Sequence, residues 1–328
     1  MLMPEPRLRW GVLSTARITD KLLASKGAQF VAVGSRSAER ADLWARERGI
    51  PRAHGSYEAL LADPEVDAIY NPLPNVLHVP WSIKALEAGK HVLCEKPMSR
   101  HPAEVERAFE VAEREGRVLA EGFMWRHHPQ IARARELIAD GAIGRLRLLR
   151  AAFSFDLRDR SDVRLQRDLD GGGLMDVGCY CVSGCRALAG AEPERVYAEQ
   201  VIGGNGVDVR LVAALRFPED VLATIDCGLS VTARDELEAI GDEGSLFLDD
   251  PWHGRVTVIE LRSAGSVERS EIPFASSYAL ELADFEAAAR GEREPLLGRA
   301  DALAQARTID ALYRSAEQGE PVAMNEEV

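Results

Sequence analysis

Up to Phe123 the chain alternates between two hydrophobic periods, and this alternation constrains its fold more than any other feature. "LRWGVL", "FVAVGSR", "VDAIYNP", "HVLCEKP" and "RVLAEGF" are short, nearly continuous apolar runs, as in strands buried on both faces. Between them, "ARITDKLLASK", "SAERADLWARERG", "SYEALLAD", "VPWSIKALEAG" and "HPAEVERAFEVAEREG" repeat their apolar residues at helical spacing. Ser37 and Ser56 stand at N-cap positions, Pro102 at a first helical position, and Gly89 and Gly116 just past final turns. Strand-helix repetition of this kind predicts a parallel sheet covered by helices.

Beyond Phe123 the period changes to two. "RLRLLRAAFSFDL", "VDVRLVAALRF", "VLATIDCGLSV", "GSLFLDD" and "RVTVIEL" alternate, and Pro218-Glu219-Asp220 forms a turn between two of them. This predicts a largely antiparallel sheet with one covered face. "GGGLMDVGCYCVSGCRALAG" reads as a helix between strands, and "YALELADFEAAARGE" and "GRADALAQARTIDALYRSAEQG" as two closing helices. The expected fold class is therefore α/β with two domains, residues 1–123 and 124–328.

Charge removes some functions. With 40 basic and 53 acidic residues, a net charge of −13 and no run of Lys or Arg, nucleic acid is not an expected partner. "MLMPEPRLRW" lacks the charged-then-apolar order of a signal segment, and no apolar stretch is long enough to span a membrane. Cys94, Cys179, Cys181, Cys185 and Cys227 form no C-x-x-C pair, which fits a reducing, cytoplasmic setting and small buried side chains.

The turn after the first strand, "GVLSTARITDKLL", lies where a dinucleotide-binding chain carries its glycine fingerprint. Ser14, Ala16 and Thr19 replace the three small residues of that fingerprint. Ser14 and Ala16 are small enough for a backbone to approach phosphate, and the hydroxyls of Ser14 and Thr15 suit phosphate oxygens. After the second strand, Ser35 and Arg36 stand where an acidic residue would bind the ribose hydroxyls of NAD. A guanidinium there suits a 2'-phosphate, with Arg40 one turn into the next helix, so the sequence favours NADP, with NAD as the alternative.

The fifth strand ends in "CEKPMS", placing Glu95 and Lys96 at the rim of the parallel sheet, with a cis Lys96–Pro97 bond an open possibility. The chain has five lysines, and arginine supplies every other basic position; a proton-transfer site needs the lysine. In "GGGLMDVGCY", Asp176 and Tyr180 are four residues apart and are expected on one helix face, with Gly171 to Gly173 allowing close approach upstream. A carboxylate and a phenol so placed suit hydroxyl binding and proton exchange. Tandem His127 and His128, read as part of a strand, point to opposite faces and form no metal site, and Glu121 and Asp156 read as structural.

Taken together, "GVLSTARI", "VGSRSAERA", "PLPNVLH", "AGKHVLCEKPMS", "FMWRHHPQ", "GGGLMDVGCY" and "GRADALAQARTIDAL" resemble the glucose-fructose oxidoreductase, inositol dehydrogenase and rhizopine-catabolism (Gfo/Idh/MocA) family over nearly the whole chain. The likeness is greatest to its NADP-dependent aldose dehydrogenase and dihydrodiol dehydrogenase branch. The resemblance implies an N-terminal Rossmann domain and a C-terminal open-sheet domain that binds substrate and often forms a dimer interface. It implies that Lys96 gives or takes a proton, that Asp176 and Tyr180 flank the nicotinamide, and that Asn75 and His78 lie near the cofactor. Trp125 and Arg126 would enter the active-site cleft, and Arg164 would lie near cofactor or substrate.

The expected cofactor site takes in Gly11, Ser14, Thr15, Ala16, Arg17, Ile18, Ser35, Arg36, Arg40, Asn71, Leu73, Pro74, Asn75, His78, Glu95, Lys96, Trp125, Arg126 and Arg164. The expected substrate site takes in Lys96, Arg126, Asp176 and Tyr180. Ser183 departs from the asparagine that many members carry three residues after the tyrosine. The expected activity is hydride transfer between NADP and a CH–OH carbon of a sugar, with oxidation of an aldose to its lactone favoured. Oxidation of a trans-dihydrodiol, reduction of a ketone or anhydro-sugar, and a non-catalytic NADP-binding regulator are the alternatives.

Overall fold

In the computed structural model, which describes residues 7–324, the apolar runs of the first half become strands of one sheet. These are β1 (Arg9–Leu13), β2 (Gln29–Gly34), β3 (Arg52–His54), β4 (Ala68–Asn71), β5 (His91–Glu95) and β6 (Leu119–Gly122). All pairs are parallel and the order is β3-β2-β1-β4-β5-β6. The order reverses between β1 and β4, the switch point at which doubly wound sheets bind ligands. Connections run through α1 (Thr19–Ser25), α2 (Ala38–Arg48), α3 (Tyr57–Leu61), α4 (His78–Glu87) and α5 (Pro102–Glu115). Ser37 and Ser56 accept the Arg40 and Ala59 amides as N-caps, so the sequence signals act as expected. The short edge strand β3 escapes the sequence reading because "RAH" has no apolar run. The signal-segment reading rests partly on residues 1–6, which lie outside the described residues.

Two features of the second half depart from expectation. Residues 127 and 128 are not in a strand: Met124–His127 is a 3-10 turn and His128 caps α6 (Pro129–Ala139) through Nδ1, which accepts the Gln130 amide. The helix with the Asp176–Tyr180 spacing is also not one regular α-helix. A π-helical turn, Leu174–Gly178, leads into α7 (Cys179–Ala189), so the facing rule of an α-helix does not carry across it.

The remaining strands are β7 (Leu146–Asp156), β8 (Arg195–Ile202), β9 (Asp208–Arg216), β10 (Leu222–Gly228), β11 (Ser230–Gly241), β12 (Gly244–Asp249), β13 (Val258–Ser263), β14 (Ser266–Glu271) and β15 (Val322–Ala323). They form one sheet in the order β14-β13-β12-β11-β7-β10-β9-β8-β15. Every pair is antiparallel except β7 with β10. α7 and the π-helical turn before it lie close on this sheet because each has a position with no side chain: a Cβ on Gly184 would stand 2.6 Å from the Trp252 ring, and one on Gly178 2.6 Å from Cys227 Sγ.

The last helices are α8 (Ser277–Ala289) and α9 (Arg299–Gln318). Contacts divide the chain into two compact units. One holds the residues through Ser99, then Ala103–Met124 and Ser276–Leu303; the other holds Arg100–Pro102, Trp125–Ala275 and the residues from Ala304 on. α8 thus belongs with the parallel sheet. Trp10 of β1 donates its indole N–H to Glu286 at 3.0 Å and packs 5.0 Å from the Phe285 ring, in a core shared with Val12, Val33 and Tyr70. Among the described residues no helix is long and apolar enough to cross a membrane, and all five cysteines are free and buried.

Candidate active site

In the parallel-sheet unit, the turn after β1 is set by Ser14. Its φ of 81° is in the left-handed region that favours glycine, and its amide donates to Gly34 O at the tip of β2 at 2.8 Å. Successive bonds from Thr19, Asp20 and Lys21 to Ala16, Arg17 and Ile18 wind the chain tightly into α1. The turn thus reproduces with serine the geometry that a fingerprint glycine usually supplies. Thr19, at the third fingerprint position, is fully buried. Gly11 lies inside β1, where a Cβ would stand 3.0–3.1 Å from Val66, Ile69 and Leu60, so its small size serves sheet-to-helix packing.

At the tip of β2, Ser35 is buried and its amide donates to His54 O at 3.0 Å, while Arg36 is exposed. The Arg36 and Arg40 charges both act on the Tyr57 phenol. Burial raises the Tyr57 pKa, and the two arginines partly offset that effect. Tyr57 is held edge-on against Trp81, ring centroids 4.9 Å apart. Two guanidinium groups and a phenol beyond β2 fit the 2'-phosphate of NADP. Sequence reasoning found the arginines and missed Tyr57, whose "SYEALL" context reads only as a helix start.

The tip of β4 is tied to that of β5. Asn71 is fully buried and spends its amide on His78 O at 2.9 Å and Ser82 Oγ at 3.1 Å, which fixes the Leu73–Pro74–Asn75 loop rather than presenting the amide to a ligand. His78 Nδ1 lies 2.8 Å from Pro97 O, and burial pushes its pKa down to about 4, so the ring is neutral and Nδ1–H donates. The bond holds the carbonyl of Pro97, whose link to Lys96 is cis. On the other side of Lys96, Tyr70 donates to Glu95 at 2.5 Å, and Glu121 accepts the Met98 amide at 2.6 Å. The lysine therefore stands on a backbone fixed from three directions. Glu281 of α8, buried near Glu95, has its pKa raised well above the ordinary carboxyl range by desolvation and then by that neighbouring charge.

In the open-sheet unit, Asp176 pairs with Arg164 at 3.5 Å, and Arg164 also binds Asp162 through Nε and Nη2 at 2.9 and 2.8 Å. Tyr180 is buried with its ring 5.3 Å from Phe153 and 5.9 Å from Trp252. Trp125 is fully buried, edge-on to Trp252. Arg126 donates to Ser183 Oγ at 3.2 Å, so the serine that departs from the family pattern acts as an acceptor for an arginine assigned to the cleft. One cluster was not foreseen. Asp235, Asp250 and His253 place ligand-type atoms within 4.8 Å of one another, but Arg255 holds both oxygens of Asp250 at 2.6 and 2.8 Å, which makes the group an ion-pair network.

A six-stranded parallel sheet in this order, with a tight turn after β1 leading into a helix, defines a doubly wound fold of the dinucleotide-binding class. Residues 10–123 match the model of an oxidoreductase family with an NAD-binding Rossmann fold, and residues 131–247 match that of the GFO/IDH/MocA C-terminal domain. The chain is 37% identical to D-xylose 1-dehydrogenase (NADP(+)) 2 of Haloferax volcanii, covering 97% of this chain and 100% of that protein. It is 35% identical to trans-1,2-dihydrobenzene-1,2-diol dehydrogenase of Mus musculus, covering 81% of this chain and 80% of that one. Among solved structures, a 3-ketoreductase from Actinomadura kijaniata in complex with NADP and TDP-benzene superposes with a TM-score of 0.89 at 31% identity, covering 94% of this chain and 98% of that chain.

The chain belongs to the GFO/IDH/MocA family and is an NAD(P)-binding oxidoreductase.

Proposed function

We propose that the protein uses NADP to oxidise the anomeric CH–OH of an aldose, giving a lactone. The observation that carries the cofactor choice is the placing of Arg36 and Arg40 beside Tyr57 beyond β2, with Ser35 and Arg36 where an NAD enzyme carries its acidic residue. NADP held there would supply the hydride acceptor. The chain's own residues handle the proton and the orientation. Lys96 or Tyr180 takes the hydroxyl proton, Asp176 accepts a hydrogen bond from a sugar hydroxyl, and Arg164 and Arg126 position oxygens by charge. The neutral His78 and the Tyr70–Glu95 pair keep the lysine in place. The relationship to the xylose dehydrogenase supports an aldose over other alcohols.

A second reading is oxidation of a trans-dihydrodiol. It draws on the aromatic wall of Phe153, Tyr180 and Trp252, which suits a flatter and less polar substrate. Buried free thiols support a reducing, cytoplasmic setting. Val212 and Leu222, 54% and 47% exposed on the open face of the second sheet, support a homodimer through that face.

The test is NADPH formation with D-xylose, D-glucose and a benzene trans-dihydrodiol, for the wild type and Lys96→Met. The expected result is turnover of an aldose, lowered at least about a thousandfold in the variant with NADP affinity retained. Turnover of the dihydrodiol alone would replace the first reading with the second, and a Lys96→Met enzyme of near-normal rate would remove the lysine from the chemistry.

A further inference from the structure

We infer that Asp208, the first residue of β9, is a positioning residue for the reaction, anchoring the triple-glycine turn and thereby fixing where Asp176 and Tyr180 are held. The inference rests on the reading that those two side chains carry the chemistry. Asp208 is 2% exposed and no member of the sequence-derived site. Its Oδ2 accepts the Leu174 amide at 2.7 Å, at the first residue of the π-helical turn, and its Oδ1 accepts the Tyr313 hydroxyl of α9 at 2.9 Å. Burial pushes its carboxyl up to about 6, and these donors, with the Gly173 amide, work against that rise.

The three glycines are shaped around this carboxylate. A Cβ on Gly172, whose φ is 138°, would stand 2.1 Å from Asp208 Oδ1; one on Gly173 would stand 3.2 Å from Oδ2. A Cβ on Gly171 would stand 2.4 Å from Arg164 O, and that same carbonyl accepts the Gly172 amide at 2.9 Å. Arg164 therefore meets the turn twice, by its carbonyl at Gly172 and by its guanidinium at Asp176. Asp176 in turn donates its amide to Gly172 O at 2.9 Å. One carboxylate thus fixes the backbone two residues before Asp176, and the helix that follows carries Tyr180. Behind it, Arg100 lies 5.1 Å from the Tyr313 ring and 3.7 Å from Asp170, closing the anchor on its far side.

A buried carboxylate costs more than a neutral group of the same shape, so what the anchor needs is its acceptors rather than its charge. Asparagine can keep one oxygen on the Leu174 amide and turn its NH2 toward the Tyr313 oxygen, whereas alanine leaves both donors unpaired. The experiment compares Asp208→Ala, Asp208→Asn and Tyr313→Phe in the full chain. It reads kcat and sugar KM, NADP affinity by fluorescence, thermal unfolding, and amide hydrogen exchange across residues 171–180.

The expected result for Asp208→Ala is a kcat about a hundredfold lower with NADP affinity unchanged and faster exchange confined to 171–180. Asp208→Asn should recover most of that rate, and Tyr313→Phe should fall between. The inference is overturned if Asp208→Ala leaves kcat and local exchange as in the wild type, or if asparagine is no better than alanine. Should the alanine variant fail to fold, Tyr313→Phe decides alone: unchanged exchange at Leu174 and unchanged kcat would sink it. A wild type that turns over no sugar would overturn the proposed function instead, and the exchange data would still show whether the anchor exists.

Discussion

Arg36 is the residue on which we propose that cofactor choice turns. Charge-assisted hydrogen bonds to a phosphate are each worth about 1.5–3 kcal/mol, so Arg36→Ala should lower the preference for NADP over NAD by about ten- to a hundredfold. The check is kcat/KM with each cofactor; an unchanged ratio would take the guanidinium out of the site. The Arg36 charge acts on the Tyr57 phenol, which joins this arginine to the helix after β3. At Lys96 the sequence named the residue but not its supports. Those supports, His78 through Pro97 O and Tyr70 through Glu95, come from the first residue of α4 and from β4.

Among the elements, α7 shows how a helix is brought down onto a sheet by omission. Gly184 lies against Trp252, so the helix approaches until backbone meets indole. Gly184→Ala would insert a carbon 2.6 Å from that ring, and overpacking of this kind costs about 1–3 kcal/mol. Denaturant unfolding should show that loss. Because Tyr180 and Trp252 share one aromatic cluster, kcat should fall as well. A variant as stable as the wild type would show that α7 can shift without cost. The π-helical turn before α7 was not legible in "LMDVG", since the extra residue is absorbed by the Asp208 anchor and by packing on β10 rather than by any local preference.

For the whole molecule, the open sheet leaves an uncovered face that a monomer of net charge −13 has to expose to water. Val212 sits within it, on β9 between Glu199 of β8 and Asp226 of β10. If this face joins two copies, Val212→Glu should convert a dimer to a monomer in sedimentation with little change in thermal stability. A wild-type monomer, or a variant that remains dimeric, would remove the face from the assembly. The same scale accounts for α8. Sequence order puts it at the end of the second half, but its Phe285 and Glu286 complete the environment of Trp10 in β1, an association between distant parts of the chain that no local pattern encodes.

The chain's own periodicities and caps determined the parallel sheet and the change to an antiparallel one, because each follows from neighbours a few residues apart. Tertiary structure alone decided that Ser14 takes a glycine's backbone geometry, that Tyr57 joins the arginines, that Ser183 meets Arg126, and that Asp208 fills the space three glycines leave. Those outcomes depend on atoms brought together from strands and helices far apart in sequence, where packing and hydrogen-bond satisfaction override local preference.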